Sequence, residues 1–146
     1  MRILGIDYGD RYVGLAVSDP LLVSAQPLET YLLKDRDADN RDYFRRIVRV
    51  QEVSEIVVGL PLRMDGTPGT RADTTRAFAK WLEDAVGRPV VFWDERLTTH
   101  QALGIMHEQK VKLKARRSVV NQIAAALILQ GYLDRRHADA PPPDRA

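Results

Sequence analysis

The sequence contains no cysteine, and this absence excludes two classes of site. Without thiols the chain can form neither disulfide bonds nor thiolate metal sites, which fits a reducing compartment. It also lacks an apolar run long enough to span a membrane, and Met1 leads into a strand rather than into a signal sequence. We therefore expect a cytoplasmic protein that has no membrane partner.

A strong net charge is absent as well, since 22 basic and 20 acidic residues leave a formal charge of +2. Net charge alone therefore indicates no particular partner. The composition is that of an ordinary globular protein, with 146 residues of which 45% are hydrophobic. This is enough for one domain with a substantial core, to which we assign residues 1–136. Residues 137–146 are rich in proline and predict a flexible tail.

The hydrophobic pattern predicts strands first and then an alternation of helices and strands. The predicted strands cover residues 3–7, 12–17, 23–33, 55–61 and 89–93, and Gly59 and Pro61 are expected to end the fourth. The predicted helices cover residues 41–51, 71–86, 98–108 and 118–136. We expect Asp39 or Asn40 to cap the first helix and Ser118 to cap the last. This order indicates an α/β domain with a mixed five-stranded sheet, in which an antiparallel meander is followed by parallel strands.

Two carboxylates stand where predicted strands end, namely Asp7 and Glu95. Ligands of such sheets bind beyond the carboxyl ends of the strands, and carboxylate oxygens suit Mg²⁺ or Mn²⁺. Two such ions can together activate a water and stabilise the leaving oxygen of a phosphodiester. The residues alone leave other interpretations open, because Asp7 could be a turn residue and Glu95 a surface ion-pair partner of Arg96.

Four stretches together resemble the YqgF/RuvX family, and they follow one another in the family's order. They are GIDYGDRYVGLAVSD (residues 5–19), VVGLPLRMDGTPG (57–69), DERLTT (94–99) and IAAALILQGYLD (123–134). Members are described as Holliday junction resolvases and as nucleases for the 5′ end of precursor 16S rRNA. The resemblance implies a ribonuclease H-like fold in which Asp7 and Glu95 are catalytic carboxylates that bind two Mg²⁺ or Mn²⁺ ions.

The sequence departs from the family pattern at Asn121, where the resemblance implies a third catalytic, metal-binding carboxylate. An amide oxygen can ligate a cation but brings no negative charge, so we expect weaker metal binding. Asn121 could instead only support the start of the last helix. Neighbouring residues at a strand end point to opposite faces, so we expect only one of Asp94 and Glu95 to face the metals, and the resemblance implies that it is Glu95.

Basic residues with no intervening acid follow the predicted third helix: Lys110, Lys112, Lys114, Arg116 and Arg117. Such a run neutralises phosphates, although short charge runs are also common in solvated loops. The glycine-rich loop of residues 59–69 is typical of a surface turn by composition alone. The resemblance makes it a substrate-contacting loop, in which Arg63 and Arg71 are the expected phosphate ligands.

We therefore expect a metal-dependent nuclease acting on precursor rRNA or branched DNA, as a monomer or weak homodimer. The departure at Asn121 supports an alternative, a nucleic-acid-binding module with little or no catalysis. A third possibility is an ATPase of the actin and sugar-kinase type, because Gly-Ile-Asp-x-Gly also occurs in phosphate-binding hairpins of those proteins. We rank the third possibility lowest, because those enzymes place two such domains around a nucleotide.

Overall fold

A computed structural model of the chain describes residues 1–63, 65–97 and 117–139. Within these ranges the strands are β1 (Arg2–Tyr8), β2 (Tyr12–Ser18), β3 (Ala25–Leu32), β4 (Val53–Leu60) and β5 (Val90–Asp94). The helices are α1 (Asp37–Val50), α2 (Thr70–Val86) and α3 (Arg117–Asp139), and a 3₁₀ turn over Glu95–Leu97 follows β5.

The strands form one sheet in the order β3-β2-β1-β4-β5. Strand β2 is antiparallel to both of its neighbours, β1 and β3, whereas β4 is parallel to β1 and β5 is parallel to β4. This confirms the predicted mixed five-stranded sheet and the α/β class. Because β1, β4 and β5 run in the same direction, their carboxyl ends lie together at one edge of the sheet. Strand β1 is the central strand of the five.

Alternation along β1 gives the sheet two different buried faces. Leu4 and Ile6 pack into a core with α1 and α2, whose aromatic centre contains Phe44 and Phe78. Ile3 faces the opposite way, into a second core that contains Leu129 of α3. Odd-numbered residues of β1 therefore face α3, and this face includes Asp7.

Helix α1 begins at Asp37 rather than near residue 41, so the predicted cap by Asp39 or Asn40 is wrong. Acidic residues are favoured in a first helical turn by the helix dipole, and Asp37 and Asp39 occupy that turn. Asn40 has another use: its Oδ1 accepts hydrogen bonds from the Tyr31 hydroxyl at 2.7 Å and from the Lys34 N–H at 2.9 Å. The side chain therefore ties the end of β3 to α1.

Other boundaries also differ from the predictions. Gly59 lies inside β4 rather than ending it, and the strand stops at Leu60 before Pro61. Helix α3 continues to Asp139, so residues 137–139 belong to the helix rather than to the tail. The predicted helix over residues 98–108 and the remaining tail over residues 140–146 lie outside the described residues. Across the part of the chain that is described, no helix has the length and apolar character needed to cross a membrane.

Candidate active site

Asp7 stands near the end of the central strand, on the face that α3 covers. Its partner across β2 is Gly14, and directly opposite residues of an antiparallel pair share a face. Two residues earlier, a Cβ on Gly5 would lie 2.6 Å from the Leu129 Cβ of α3. The close approach of α3 to β1 and β2 therefore places its first turns beside Asp7.

Glycines on both neighbouring strands leave space beside Asp7. A side chain at Gly14 would collide with the backbone carbonyl of Asn121 in α3. On β4, Gly59 follows Val58, which pairs with Ile6 of β1. A Cβ on Gly59 would lie 2.7 Å from Glu95 Oε1 and 2.5 Å from Ile128 Cδ1. The two glycines thus form the floor of a site around Asp7.

Glu95 begins the 3₁₀ turn after β5, and its carboxylate lies over Gly59. Burial, together with the negative charge of Asp7, raises the pKa of Glu95 to about 7. The positive charge of Arg71 acts in the opposite direction on this pKa. Asp7 is therefore close enough to Glu95 for its charge to oppose the ionisation of the Glu95 carboxylate.

The carboxylate of Asp94 forms an ion pair with Arg96. The Arg96 Nη2 lies 2.7 Å from Asp94 Oδ2, and the Arg96 Nε contacts both carboxylate oxygens at 3.1 Å. Hydrogen bonds from Arg96 accordingly lower the pKa of Asp94. The interpretation of Glu95 as the partner of Arg96 is therefore wrong, because Asp94 takes that arginine and Glu95 lies within electrostatic reach of Asp7.

Asn121 lies in the first turns of α3, directly above β2. Its Cβ is 3.1 Å from the position that a Cβ would take on Gly14, the pairing partner of Asp7. The structure therefore brings Asp7, Glu95 and Asn121 to one end of the α3 face of the sheet. The side chain of Ser118, the predicted cap of this helix, lies outside the described residues.

The glycine-rich loop forms a short hairpin at the same edge of the sheet. Leu62 and Pro68 form an isolated bridge, and the Arg63 N–H donates to the Thr67 carbonyl oxygen at 3.0 Å. Gly66 takes a φ of 89°, which fits the turn interpretation, and a Cβ there would lie 3.3 Å from Arg96 Nη1. Arg96 is bound to Asp94, the residue before Glu95. Its closeness to Gly66 therefore places this loop beside the candidate site.

The two loop arginines differ in their position relative to the carboxylates. Arg71 is exposed in the first turn of α2 and acts electrostatically on Glu95. Arg63 is also exposed, and its Nε lies 3.1 Å from where a Cβ would stand on Gly69. Gly69 is the N-cap of α2 and supplies no side-chain cap, so the first N–H groups of that helix are open to an anion at the same edge.

The basic run cannot be placed in the same way. Lys110, Lys112, Lys114 and Arg116 lie outside the described residues. Arg117 begins α3, but its side chain is also outside what the structure describes. The predicted role of these residues as phosphate ligands therefore stays a prediction.

The donor chemistry around Asp7 fits a divalent cation. The described residues contain no cluster of three or more histidine, cysteine, aspartate or glutamate side chains able to hold a metal. They offer two carboxylates, Asp7 and Glu95, with the amide-bearing Asn121 near by. Hard oxygen donors of this kind are the ones that Mg²⁺ and Mn²⁺ prefer. A bound cation would offset the mutual repulsion that contributes to the raised pKa of Glu95.

Sequence reasoning missed Gly14 as part of the site, and it assigned Gly59 to the glycine-rich loop rather than to the floor beneath Glu95. A signal was present, because an isolated glycine inside a strand often marks a close approach of backbone or ligand. Identifying what approaches required knowing that α3 packs across β1 and β2, which a strand pattern does not reveal. At Gly59 the pattern is also misleading, because Pro61 follows so closely that the glycine resembles a strand end.

The chain is similar to a described family and to named proteins along nearly its whole length. Residues 1–135 match the family model described as RuvX: Holliday junction resolvase. A protein from Koribacter versatilis named "Putative pre-16S rRNA nuclease" is 43% identical over 97% of this chain and 92% of its own length. A protein of the same name from Halothermothrix orenii is 43% identical over 92% of this chain and 95% of its own.

Solved structures of low sequence identity share the fold. Thermus thermophilus RuvC in complex with a Holliday junction substrate superposes with a TM-score of 0.57 at 16% identity, over 94% of this chain and 96% of that one. The fowlpox virus resolvase bound to Holliday junction DNA gives a TM-score of 0.56 at 10% identity, over 93% of this chain and 99% of that one. These neighbours show that the sheet and its helices form a RuvC-like ribonuclease H fold.

Proposed function

Because the chain belongs to the RuvX family, whose members hydrolyse phosphodiester bonds, we propose that it trims the 5′ end of precursor 16S rRNA. The chain is a nuclease with a ribonuclease H-like fold. The choice of RNA rests on relatives that carry that name and match nearly the whole chain. We also propose that residues 1–136 form one domain, that it works in the cytoplasm, and that it acts as a monomer or weak homodimer.

We assign the chemistry to the edge where Asp7 and Glu95 meet. The observation that supports this most directly is that the Glu95 carboxylate lies over Gly59 within electrostatic reach of Asp7, where burial and the charge of Asp7 raise the pKa of Glu95 to about 7. Such a pair is costly without a cation, and strongly perturbed carboxylates in one place indicate a functional site. Asp7 and Glu95 would hold Mg²⁺ or Mn²⁺, with Asn121 as an uncharged third ligand.

In our proposal, different residues hold the substrate backbone and keep the site open. Divalent ions, when bound, lower the pKa of water and neutralise charge on the leaving oxygen. Arg71 and the N-terminus of α2 lie near Glu95 and would hold the anionic backbone of the substrate. Gly14 and Gly59 keep the floor of the site open. We propose that further basic residues also bind the phosphates of the substrate: Arg63, Lys110, Lys112, Lys114, Arg116 and Arg117.

A second candidate substrate is branched DNA, which the description of the matched family favours. Both substrates present phosphates and shape, and the described side chains include none assigned to a 2′-hydroxyl. A nucleic-acid-binding module without catalysis remains the alternative for this member, since Asn121 brings no charge to the site. The family match makes the ATPase interpretation the least favoured.

The test is cleavage of two labelled substrates side by side, a 5′-extended precursor rRNA fragment and a four-way DNA junction. Each is incubated with Mg²⁺, with Mn²⁺ or with a chelator, and Asp7→Asn serves as the inactive control. We expect metal-dependent cleavage of the RNA fragment that Asp7→Asn abolishes. Preferred cutting of the junction would transfer the assignment to DNA, and binding without cutting would favour the binding module.

A further inference from the structure

A groove lined by arginines lies at the end of the sheet opposite the candidate active site. Its volume is about 570 Å³, and its lining includes Arg45 and Arg49 of α1 and Arg88 before β5. One acidic residue, Glu52, lies among the lining residues. We call this surface the far-end groove.

Two of the arginines are held in place by backbone carbonyls. Arg45 Nε donates to the carbonyl oxygen of Ala85 at 2.7 Å. Arg88 Nε donates to the oxygen of Val53 at 3.1 Å, and its Nη1 donates to the oxygen of Gly87 at 3.1 Å. A guanidinium group has five N–H donors, so each side chain is fixed while further donors remain for an anion.

These arginines also lack carboxylate partners among the described residues. The ion pairs found there involve other arginines: Arg36, Arg41, Arg96, Arg135 and Arg136. Arg2 adds a further positive charge near by, because its Nη1 lies 3.5 Å from the backbone oxygen of Gln51, the residue before Glu52. The far-end groove therefore carries a surplus of positive charge that its own carboxylate does not balance.

Compensation of helix ends explains only part of this arrangement. Helices α1 and α2 both end at this groove, and arginines near a helix C-terminus are favoured by the dipole and by the last carbonyls. That role accounts for the bonds that Arg45 and Arg88 make to Ala85 and Gly87. The dipole also favours Arg49, which stands in the last turn of α1, but that role does not require its exposed side chain to line the same groove as Arg45 and Arg88. Cations from separate segments of the chain therefore converge on one concave surface.

We propose that the far-end groove binds the phosphate backbone of a helical arm of the substrate, away from the bond that is cut. This rests on the proposed function, since the partner is the nucleic acid that the nuclease cleaves. Arg2 and Asp7 stand near the two ends of β1, and at ~3.3 Å per residue they lie roughly 17 Å apart. Because the groove borders the α1 and α2 side of the sheet whereas Asp7 faces α3, the path over the surface is longer, so at ~3.4 Å per nucleotide the arm must extend more than about five nucleotides.

The test compares binding of a long and a short substrate, measured without divalent ions at several salt concentrations. The long substrate extends well beyond the cleavage position, whereas the short one ends before the groove can be reached. The main variant is Arg45→Gln with Arg49→Gln, and Arg49→Glu alone is a second variant that leaves the bond to Ala85 intact. The matched control, Arg36→Gln with Arg41→Gln, removes the same charge at the opposite end of α1.

We expect the double variant to bind the long substrate roughly tenfold more weakly, with a salt dependence shallower by about two phosphate contacts. Arg49→Glu should weaken binding of the long substrate in the same direction. Binding and cleavage of the short substrate should not change, and the control should lose much less. Unchanged binding of the long substrate, or an equal loss in the control, would overturn the proposal. Absence of cleavage in every protein would instead count against the proposed function, while the binding comparison would still decide on the groove.

Discussion

At the scale of single residues, the site depends on the electrostatic relation between Glu95 and its surroundings. Burial and Asp7 raise the pKa of Glu95, whereas Arg71 lowers it. Asp94 is kept ionised by Arg96, which lowers its pKa. Neighbouring carboxylates thus have different environments, and the sequence could predict this difference because adjacent residues at a strand end face opposite ways.

The raised pKa of Glu95 predicts how the stability of the metal-free protein depends on pH. The unfolded chain loses this proton near pH 4.5, and the folded chain loses it near pH 7. Stability should therefore fall as pH rises through this window. Glu95→Gln should remove the fall and stabilise the metal-free protein at pH 8 by on the order of 2 kcal/mol. Urea unfolding at pH 5 and pH 8 in the presence of a chelator measures both, and an unchanged pH dependence would contradict the assignment.

Asn121 gives a second prediction at this scale. Asn121→Asp supplies a third carboxylate near Asp7, so divalent ions should bind more tightly and cleavage should increase by roughly tenfold. Gln122→Glu is the matched control, because it adds the same charge one residue further along α3. Metal titration and single-turnover cleavage measure the two effects. If the metal-loaded Asn121→Asp protein cleaves no faster, the amide is not what limits this member of the family.

At the scale of elements, the site exists because α3 packs tightly on the sheet. Gly5, Gly14 and Gly59 accept the helix and the Glu95 side chain where a Cβ would collide with them. The strands themselves could be predicted from apolar runs and glycine turns. The helix–strand contact could not, because it depends on pairs far apart in the chain. The start of α1 could not be predicted from the sequence pattern either, because Asn40 accepts a hydrogen bond from Tyr31 of β3 instead of capping the helix.

The close packing predicts the cost of adding one methyl group. Gly59→Ala places a Cβ 2.5 Å from Ile128 Cδ1 and 2.7 Å from Glu95 Oε1, so it should destabilise the protein by about 2–3 kcal/mol and reduce cleavage strongly. Gly87→Ala is the control, since nothing lies within 4 Å of its Cβ position and only the φ of 66° opposes it. That variant should cost about 1 kcal/mol and leave activity intact. Equal losses of stability and cleavage in both variants would contradict the role of Gly59 in the site.

At the scale of the whole molecule, one sheet separates two cores and brings its functional groups to one edge. The order of strands and helices, together with the resemblance, was enough to predict the ribonuclease H-like fold. The sequence could also indicate Asp7 and Glu95, because both follow apolar runs. It could not show the far-end groove, whose arginines come from segments that are far apart in the chain.

The measurement that tests the central claim most directly is the thermal unfolding midpoint with and without Mn²⁺. A ligand that binds only the folded state raises the midpoint, so Mn²⁺ should stabilise the parent protein. Asp94→Asn is the matched control, because Asp94 is bound to Arg96 and should not be needed for the cation. We predict that Mn²⁺ raises the midpoint of the parent protein and of Asp94→Asn but not of Asp7→Asn. An equal rise in Asp7→Asn, or no rise in the parent protein, would contradict a cation site built on Asp7 and Glu95.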